Sequence, residues 1–408
     1  PQSCAIDGAS ASGSPDVETL RSAAWTEILP RSALEGDTKN AFAIASELRF
    51  THLRFHIFPD GGVARLRVHG DVVPDARWLG RRDRPQLVDL AAAENGALVV
   101  SCNDMFFGSR HNLIMPGRGV NMGDGWETKR SRRAGPDWVV VRLATEGDIE
   151  RAIVDTLHFK GNAPDACAID VATSAKDPDG KDERAWRPLL GKTNLQPHTQ
   201  HVFGDLSSGG ATHVRLRIWP DGGISRLRLF GVATEAGRER SGMRNLRALP
   251  DAALRAELLD CCGSRAWVDA VAKERPLKDF ATLKKAAARA WDALAPRAWE
   301  EAFRAHPRIG EKKAKGPQTA HAQSWSAKEQ AKVASADDAT LDALRRANRA
   351  YERKFGRTYI VCATGKTASE MLAIAKERMK NDKKTELRRA ADEQKKITEL
   401  RLEKLVMR

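Results

Sequence analysis

The chain has 408 residues, of which 41% are hydrophobic and 30% are charged, a composition that is ordinary for two or three globular domains. It has no apolar run of membrane-spanning length, no visible signal peptide and no CxxC pair among its six cysteines, which argues against a membrane protein and a disulfide framework. The net charge of +14 has two interpretations, nucleic-acid binding or a solvated basic surface. We favour the second, because acidic and basic residues alternate near the carboxyl end. We therefore expect a cytoplasmic protein that binds neither nucleic acid nor membranes.

The amino-terminal part contains a long internal repeat. Residues 51–62 read THLRFHIFPDGG and recur at 212–223 as THVRLRIWPDGG, and the residues that follow continue in register. Upstream, the tetrapeptide CAID at 4–7 recurs at 167–170. A repeat of this length indicates a duplicated domain. Residues 85–163 have no counterpart before Cys4, and the chain starts at Pro1, so we expect the first copy to begin partway through its domain.

Each copy of the repeated motif predicts a β-hairpin. Leu53, Phe55 and Ile57 alternate with polar residues, which places apolar side chains on one face of a strand. The PDGG segment is typical of a turn, and the alternation resumes after it. Such strands indicate a duplicated antiparallel β-sandwich that is jelly-roll-like. The outward arginines of these strands either bind an anion or form a solvated face, which we favour: Arg54, Arg65, Arg67, Arg215, Arg226 and Arg228.

Motifs in the first 237 residues resemble those of allantoicases. They are NMGDGWETKR at 121–130, NDMFF at 103–107, DTLHFKGN at 155–162 and the two PDGG motifs. The resemblance implies a duplicated β-sandwich that hydrolyses allantoate to ureidoglycolate and urea. It divides this part into residues 1–80, the carboxy-terminal portion of the first repeat, and residues 81–237, the second repeat.

Hydrolysis of a ureido carbon requires a group that activates water or protonates the leaving urea. Asp124, Glu127, Asp155 and His158 have suitable side chains, and we predict them as the catalytic residues of this part. The alternative for the aspartates is structural, since an Asp-Gly pair forms turns and an Asp-Thr pair caps them. The repeated histidines at 52 and 213 fit strand-face positions better than metal ligation. No metal ligands are predicted, and a divalent-metal requirement of this part stays open.

The composition changes after about residue 240, where apolar residues begin to recur every three or four positions. This spacing predicts an all-α domain over residues 246–408, joined to the β part by a basic linker at 238–245. His306 precedes Pro307, so a helix should end there, with its dipole favouring a protonated imidazole. Alternatively, His306 is an ordinary loop residue.

Two further places in this half carry candidate residues. Ser326 and Glu329 have the spacing of a capping box, which predicts a helix that begins at Ser326 and offers a purely structural interpretation of both. Arg401 shares a helix face with Ile397, so its guanidinium lies either beside an apolar surface or in solvent.

The order of these residues resembles 2-oxo-4-hydroxy-4-carboxy-5-ureidoimidazoline (OHCU) decarboxylase. The matching stretches are CCGSRAWV at 261–268, HPRIG at 306–310, residues 326–330, 348–356 and 359–363, the set Arg378, Asn381 and Glu386, and residues 396–402. The resemblance implies that His306, Glu329 and Arg401 are catalytic. It also implies that Ser326, Gln330 and Thr364 contact the substrate, with Thr364 standing where some members have arginine.

The implied reaction is a decarboxylation to (S)-allantoin without metal or organic cofactor. His306 would transfer a proton at the hydroxyl-bearing carbon, and Glu329 would orient the imidazole or the hydroxyl. Arg401 would pair with the carboxylate or the ring oxygen, and Gln330 with the ureido group. Together the two parts predict a bifunctional hydrolase and lyase of purine (urate) degradation that acts on small ureides. The alternative is an active decarboxylase with a non-catalytic β-sandwich module, and a homo-oligomer is left open.

Overall fold

The computed structural model describes residues 1–11, 14–74, 76–81, 84–131, 135–309, 320–329 and 337–407. They form two compact units, Pro1–Ala248 and Leu249–Val406. The first is built mainly from antiparallel strands and the second from helices, so the predicted β-plus-α fold class is confirmed. No helix in the described ranges combines the length and the apolar character that a bilayer crossing requires.

The first unit contains two sheets and two short strand pairs. One sheet has the strands β1 (Ser3–Ala9), β2 (Thr26–Ala33) and β3 (His52–Phe58), with β1 in the middle. The pairs are β4 (Gly80–Arg81) with β5 (Arg84–Pro85), and β8 (Trp126–Glu127) with β14 (Gly223–Ile224). The large sheet has β6 (Val88–Asp89), β7 (Leu98–Cys102), β9 (Asp137–Asp155), β10 (Ala166–Ala172), β11 (Arg187–Asn194), β12 (Gln200–Phe203), β13 (Ala211–Trp219) and β15 (Arg226–Ala233).

The internal repeat is visible in the strand registers. In the first copy β1 lies between β2 and β3, with Ser3 opposite both Ala33 and Phe58. In the second copy β10 lies between β11 and β13, with Ala166 opposite both Asn194 and Trp219. The same two register shifts interrupt the β1–β2 and β10–β11 pairings. Three strands of each copy therefore share one arrangement.

The predicted hairpin of the second copy is wrong, because another strand lies between its arms. β13 pairs with the first part of β9, around residues 137–142, whereas β15 pairs with its second part, residues 147–155. The 19-residue β9 thus belongs to two arms of the sheet. Gly147 lies where the arms diverge, and a Cβ atom there would come within 2.5 Å of Leu90. Apolar side chains of both arms, including Val139 and Leu229, pack into one core, which gives the unit its sandwich form.

In the first copy, the residues after the turn form no strand. Leu66 and Val68 are 46% and 59% exposed, while their counterparts Leu227 and Leu229 on β15 are fully buried. Among the described residues, β3 pairs only with β1, whereas β13 pairs with both β10 and β9. The alternating residues after the turn therefore form a strand in the second copy, where β9 is their neighbour, and none in the first.

The predicted solvated arginine face is also wrong in the second copy. Arg215 is 1% exposed, and its guanidinium donates to Asp170 Oδ2 at 3.0 Å and to both carboxylate oxygens of Glu183 at 2.8 Å. Arg226 is 4% exposed and donates to Asp124 Oδ2 at 2.8 Å. Acidic residues from neighbouring segments supply the counter-charge that lets these side chains be buried.

Two helices belong to the first unit, α1 (Val17–Arg21) and α2 (Glu235–Ala248). The predicted linker at 238–245 lies within α2, which packs on the middle of β9 at Thr145 and Glu146. Gly237 approaches Glu146 so closely that an added Cβ would lie 2.0 Å from its carbonyl oxygen. Arg238 is 3% exposed and donates to the carbonyl oxygens of Leu79 and Gly80 at 2.9 and 2.8 Å. This segment is thus a docked helix.

The second unit is a set of packed helices. They are α3 (Asp251–Cys262), α4 (Arg265–Ala272), α5 (Phe280–Asp292), α6 (Pro296–Arg304), α7 (Ala320–Glu329), α8 (Asp338–Phe355), α9 (Ala368–Arg378) and α10 (Lys383–Val406). Several of these helices have an N-terminal side-chain cap. At the start of α5, Asp279 accepts from Thr282 N at 2.7 Å, and at the start of α8, Asp337 accepts from Thr340 N at 2.8 Å. Gly263 and Gly356 end α3 and α8 in the left-handed conformation, with φ of 80° and 72°.

Candidate active sites

The second unit contains a small cleft that is partly open to solvent. It lies where the ends of α6 and α7 meet α10 and the irregular segment between α8 and α9. Its polar lining comes from His306, Ser326, Glu329 and Thr364, and apolar side chains such as Ile397 and Leu400 form the rest. Four residues that the sequence analysis selected from three distant segments therefore share one cavity. Gln330, the remaining predicted substrate contact, lies outside the described residues.

His306 follows the end of α6, as Pro307 predicts, and its backbone N–H donates to Phe303 O at 3.2 Å. The residue is 7% exposed, and its Nε2 has no hydrogen-bond partner among the described residues. Burial, aided by the positive charge of Arg401, lowers the imidazole pKa to about 3, although Glu329 and Gln394 act in the opposite direction. The expectation of a protonated ring is therefore wrong, because desolvation outweighs the helix dipole.

Ser326 and Glu329 lie on α7, which begins at Ala320 and not at Ser326 as predicted. Ser326 is therefore inside the helix and does not cap it. Its side chain is 4% exposed and accepts a hydrogen bond from Arg401 Nη2 at 2.9 Å. Since the oxygen accepts from Arg401, the hydroxyl hydrogen remains to donate into the cleft that Ser326 lines.

Arg401 lies on α10, outside the lining of the cleft, and its side chain reaches Ser326 and Glu329 on α7. Its side chain is 3% exposed. Nε donates to Glu329 Oε1 at 3.1 Å and Nη2 to Glu329 Oε2 at 2.9 Å, which is a bidentate pair. Nη1 contacts the Asp260 carbonyl oxygen at 3.4 Å. The guanidinium is thus mainly occupied in holding Glu329 and Ser326.

A second cation contacts Glu329. Lys404 Nζ donates to Oε1 at 2.9 Å, so this oxygen accepts from both Lys404 and Arg401. Burial alone would raise the pKa of Glu329, but the hydrogen bonds and charges of Arg401 and Lys404 outweigh it and hold the pKa below its ordinary value. Glu329 is therefore a carboxylate near neutral pH, with no proton to give.

The opposite wall of the cleft is an extended segment that buried side chains hold in place. Arg378 donates to the Ile360 carbonyl oxygen at 2.6 Å and to Glu386 Oε1 at 2.8 Å through Nε. Tyr351 donates to the same carboxylate, and Asn381 donates to its other oxygen at 2.7 Å. The motif residues Arg378, Asn381 and Glu386 thus support the wall and do not line the cleft.

In the first unit, three of the four predicted residues surround the loop at 117–125. Asp124 accepts from Arg226 Nη2 at 2.8 Å and from Val120 N at 3.1 Å. Burial raises the pKa of Asp124, but the contact with Arg226 outweighs it and lowers the pKa overall. Asp155 is 1% exposed and accepts from Arg118 Nη2 at 3.1 Å. The loop therefore carries two Arg–Asp pairs.

His158 contacts the same loop in a strained backbone conformation, with φ of 74°. Its Nε2 lies 2.9 Å from the Gly119 carbonyl oxygen, so the neutral ring carries its proton there and leaves Nδ1 unprotonated. Its backbone N–H donates to His198 Nδ1 at 2.9 Å. Non-glycine residues in this region of φ concentrate at functional sites.

Glu127, the fourth predicted residue, is on β8, and Asn162 Nδ2 donates to its Oε1 at 2.5 Å. Asn162 also contacts Met122 Sδ at 3.8 Å, next to the loop at 117–125. The four residues are thus linked through one loop, although no direct contact joins them in the described structure. Within the described ranges no three His, Cys, Asp or Glu residues are arranged to hold a metal ion.

Sequence reasoning missed several residues of both sites. Arg118 and Asn162 flank or lie within the recognised motifs, and Arg226 was assigned to a solvated face. Lys404 and Gln394 carried no sequence signal, because their partners on α7 and after α6 are between 70 and 90 residues away in the chain.

Two family models match the chain. The model of the allantoicase repeat covers residues 1–73 and 88–234, and that of OHCU decarboxylase covers residues 247–403. A probable allantoicase of Pseudomonas savastanoi pv. phaseolicola is 48% identical over 226 residues, which is 54% of this chain and 66% of that protein. The chain thus spans slightly less than two thirds of the length of this relative.

Solved structures match each part. The allantoicase of Saccharomyces cerevisiae is 34% identical, with 56% of this chain and 68% of that chain covered and a TM-score of 0.45. An OHCU decarboxylase crystallised in the presence of (S)-allantoin is 35% identical, with 37% of this chain and 98% of that chain covered and a TM-score of 0.33.

Proposed function

Since the chain belongs to the allantoicase family over residues 1–73 and 88–234 and carries an OHCU decarboxylase domain over residues 247–403, we propose that it is a bifunctional enzyme of ureide metabolism. The helical unit decarboxylates OHCU to (S)-allantoin, and the β unit hydrolyses allantoate to ureidoglycolate and urea. The observation that carries the first activity is the convergence of His306, Ser326 and Glu329 on one cleft.

The decarboxylation needs an electron sink, a desolvated carboxylate and one delivered proton. The C=N and C=O groups of the imidazoline accept the electron pair that departing CO2 leaves behind, so no cofactor is required. A neutral His306 with an unpaired Nε2 accepts the proton of the substrate hydroxyl and returns a proton to the ring carbon. The apolar walls of the cleft favour the reaction, because the negative charge that is localised on the carboxylate is spread over the ring as CO2 leaves.

The polar groups around His306 bind and orient the substrate. Ser326 donates its hydroxyl to a substrate oxygen, because Arg401 already occupies its acceptor side. The Glu329 carboxylate accepts a hydrogen bond from a substrate N–H, which orients the substrate so that its hydroxyl faces His306. Arg401 acts through Glu329 and Ser326, which modifies the expectation that it pairs directly with the substrate carboxylate.

Ser326→Ala tests the role of this hydroxyl. We expect a fall of about tenfold in kcat/KM for (S)-allantoin formation, since one hydrogen bond to the substrate is lost. Formation of the enantiomer is followed by circular dichroism with freshly prepared substrate. Ser324→Ala is the matched control, because Ser324 is exposed on the same helix. Equal activity of both variants would exclude a substrate contact at Ser326.

In the β unit, His158 is the best-suited group to activate water. Its Nε2–H is held by Gly119 O, so Nδ1 is the free base, and Arg118 is 58% exposed nearby and available to pair with a substrate carboxylate. Asp124 suits proton donation to the leaving urea least, because Arg226 keeps it ionised. Of the two remaining candidates for the acid we favour Glu127, because Asp155 is 1% exposed and already accepts from Arg118.

Urea release from allantoate tests this assignment and the alternative of a non-catalytic β module. We expect His158→Gln to lower the rate of urea release about 100-fold, since general-base catalysis is lost. His69→Gln is the control, because this histidine is exposed and distant in sequence from the motifs. Urea release by the unmodified chain at only the spontaneous rate, with normal decarboxylation, would support the non-catalytic module instead.

A further inference from the structure

The two cations that hold Glu329 come from one helix face. Arg401 and Lys404 are three residues apart on α10, which places both side chains on one side of the helix, where they reach Glu329. The Arg401 side chain is 3% exposed and contacts both carboxylate oxygens, while Lys404 is 36% exposed and contacts only Oε1. Lys404 therefore approaches the carboxylate from the solvent side.

We propose that Lys404 is a positioning residue of the decarboxylase cleft, which fixes the Glu329 carboxylate against Arg401 and keeps it ionised. This inference rests on the proposed decarboxylase function. Lys404 is not among the described residues that line the cleft, so it acts through Glu329 and not on the substrate.

The contacts also determine which carboxylate oxygen of Glu329 is left to bind the substrate. A carboxylate oxygen accepts about two hydrogen bonds, and Oε1 already accepts two, from Arg401 Nε at 3.1 Å and Lys404 Nζ at 2.9 Å. Among the described residues, Oε2 accepts from one donor, Arg401 Nη2 at 2.9 Å. Oε2 is then the oxygen with capacity left for an N–H donor of the substrate. Without Lys404, both oxygens could accept, and the carboxylate would lose its single orientation.

The charges around Glu329 support the proposal that Lys404 keeps this carboxylate ionised. In the part of the chain that the structure describes, the groups that face it are Arg401 and Lys404 from α10 and the imidazole of His306 after α6, which is neutral. Ser326 lies on the same helix and binds Arg401. Burial opposes ionisation of Glu329, and Lys404 supplies one of the two positive charges that counteract it.

The test uses three variants of the full chain. Lys404→Met removes the charge and keeps the apolar stem, Lys404→Arg keeps the charge, and Lys384→Met is a control at an exposed lysine of the same helix. In the unliganded protein, we expect the pKa of Glu329, measured by carbon NMR of the labelled carboxylate, to rise by about one unit in Lys404→Met only. The acidic limb of the kcat/KM profile should move upward by the same amount, and kcat/KM near neutral pH should fall about tenfold.

A double variant separates positioning from a general structural effect. In a Glu329→Gln background, Lys404→Met should change neither the remaining activity nor the thermal midpoint beyond what Lys384→Met does. An unchanged Glu329 pKa in Lys404→Met would overturn the proposal. The NMR measurement needs no turnover, so it decides the role of Lys404 even where the decarboxylase assay itself fails.

Discussion

Replacing His306 with glutamine should abolish most decarboxylation and, at the same time, make the protein more resistant to acid. The loss of general acid–base catalysis should lower kcat/KM by about 10³-fold. The stability effect arises because the folded protein keeps this imidazole neutral, with a pKa of about 3, whereas the unfolded chain has an ordinary pKa of about 6.5. Between these values, the unfolded chain binds a proton that the folded chain does not.

The sign of the pH dependence follows from that difference. The contribution of the neutral His306 to the free energy of unfolding is fully present above about pH 6.5 and is lost as the pH falls toward 3. At pH 4.5, two units below the ordinary pKa, the loss is about 3 kcal/mol relative to pH 7. His306→Gln lacks this loss. Between pH 7 and pH 4.5, the free energy of unfolding of the variant should therefore rise by about 3 kcal/mol relative to that of the unmodified chain.

Urea unfolding of the full chain, followed by helical circular dichroism at pH 7 and pH 4.5, measures this shift. Other carboxylates titrate in both proteins, so only the difference between them is informative. His69→Gln is the control, since His69 is exposed. Parallel acid sensitivity of the unmodified chain and His306→Gln would mean that the imidazole is not buried in its neutral form.

Arg401→Lys should lower kcat/KM for (S)-allantoin formation by about 100-fold, although the charge is conserved. Arg401 makes a two-point contact with Glu329 and a third with Ser326, which a single ammonium group cannot reproduce. Loss of two hydrogen bonds to a charged group costs about 3 kcal/mol, which is the expected factor of 100.

The control for this variant is Arg389→Lys, at an exposed arginine of the same helix, which should retain full activity. Thermal unfolding establishes that both variants are folded at the assay temperature. Near-normal activity of Arg401→Lys would contradict the assignment of Arg401 as the residue that holds Glu329 and Ser326.

The family and the main members of the decarboxylase cleft could be predicted from the sequence. His306, Ser326 and Glu329 lie in short recognisable stretches, and Pro307 correctly predicts the end of α6. The protonation state of His306 could not be predicted, because the helix dipole is a local property whereas burial depends on residues from α7 and α10. The same holds for Lys404, whose partner Glu329 is 75 residues away in sequence.

In the β unit too, part of the structure could not be predicted from the sequence. Alternation of apolar and polar residues indicates strands, and β3, β13 and β15 are strands. It does not indicate which strand lies beside which, so two arms joined by a PDGG turn were predicted to pair with each other. The insertion of β9 between them depends on contacts across about 75 residues, which no local pattern contains. The burial of Arg215 has the same origin, since its acidic partners lie on other segments.

The sharing of β9 between two arms has a consequence for how the second repeat comes apart. Because β9 pairs with β7 and β13 at one end and with β12 and β15 at the other, neither arm can detach without disturbing the strand that anchors its counterpart. Opening of this repeat should therefore be concerted. In native-state hydrogen exchange, the central amides of β9 should exchange at a single common rate, through one cooperative unit that includes both arms.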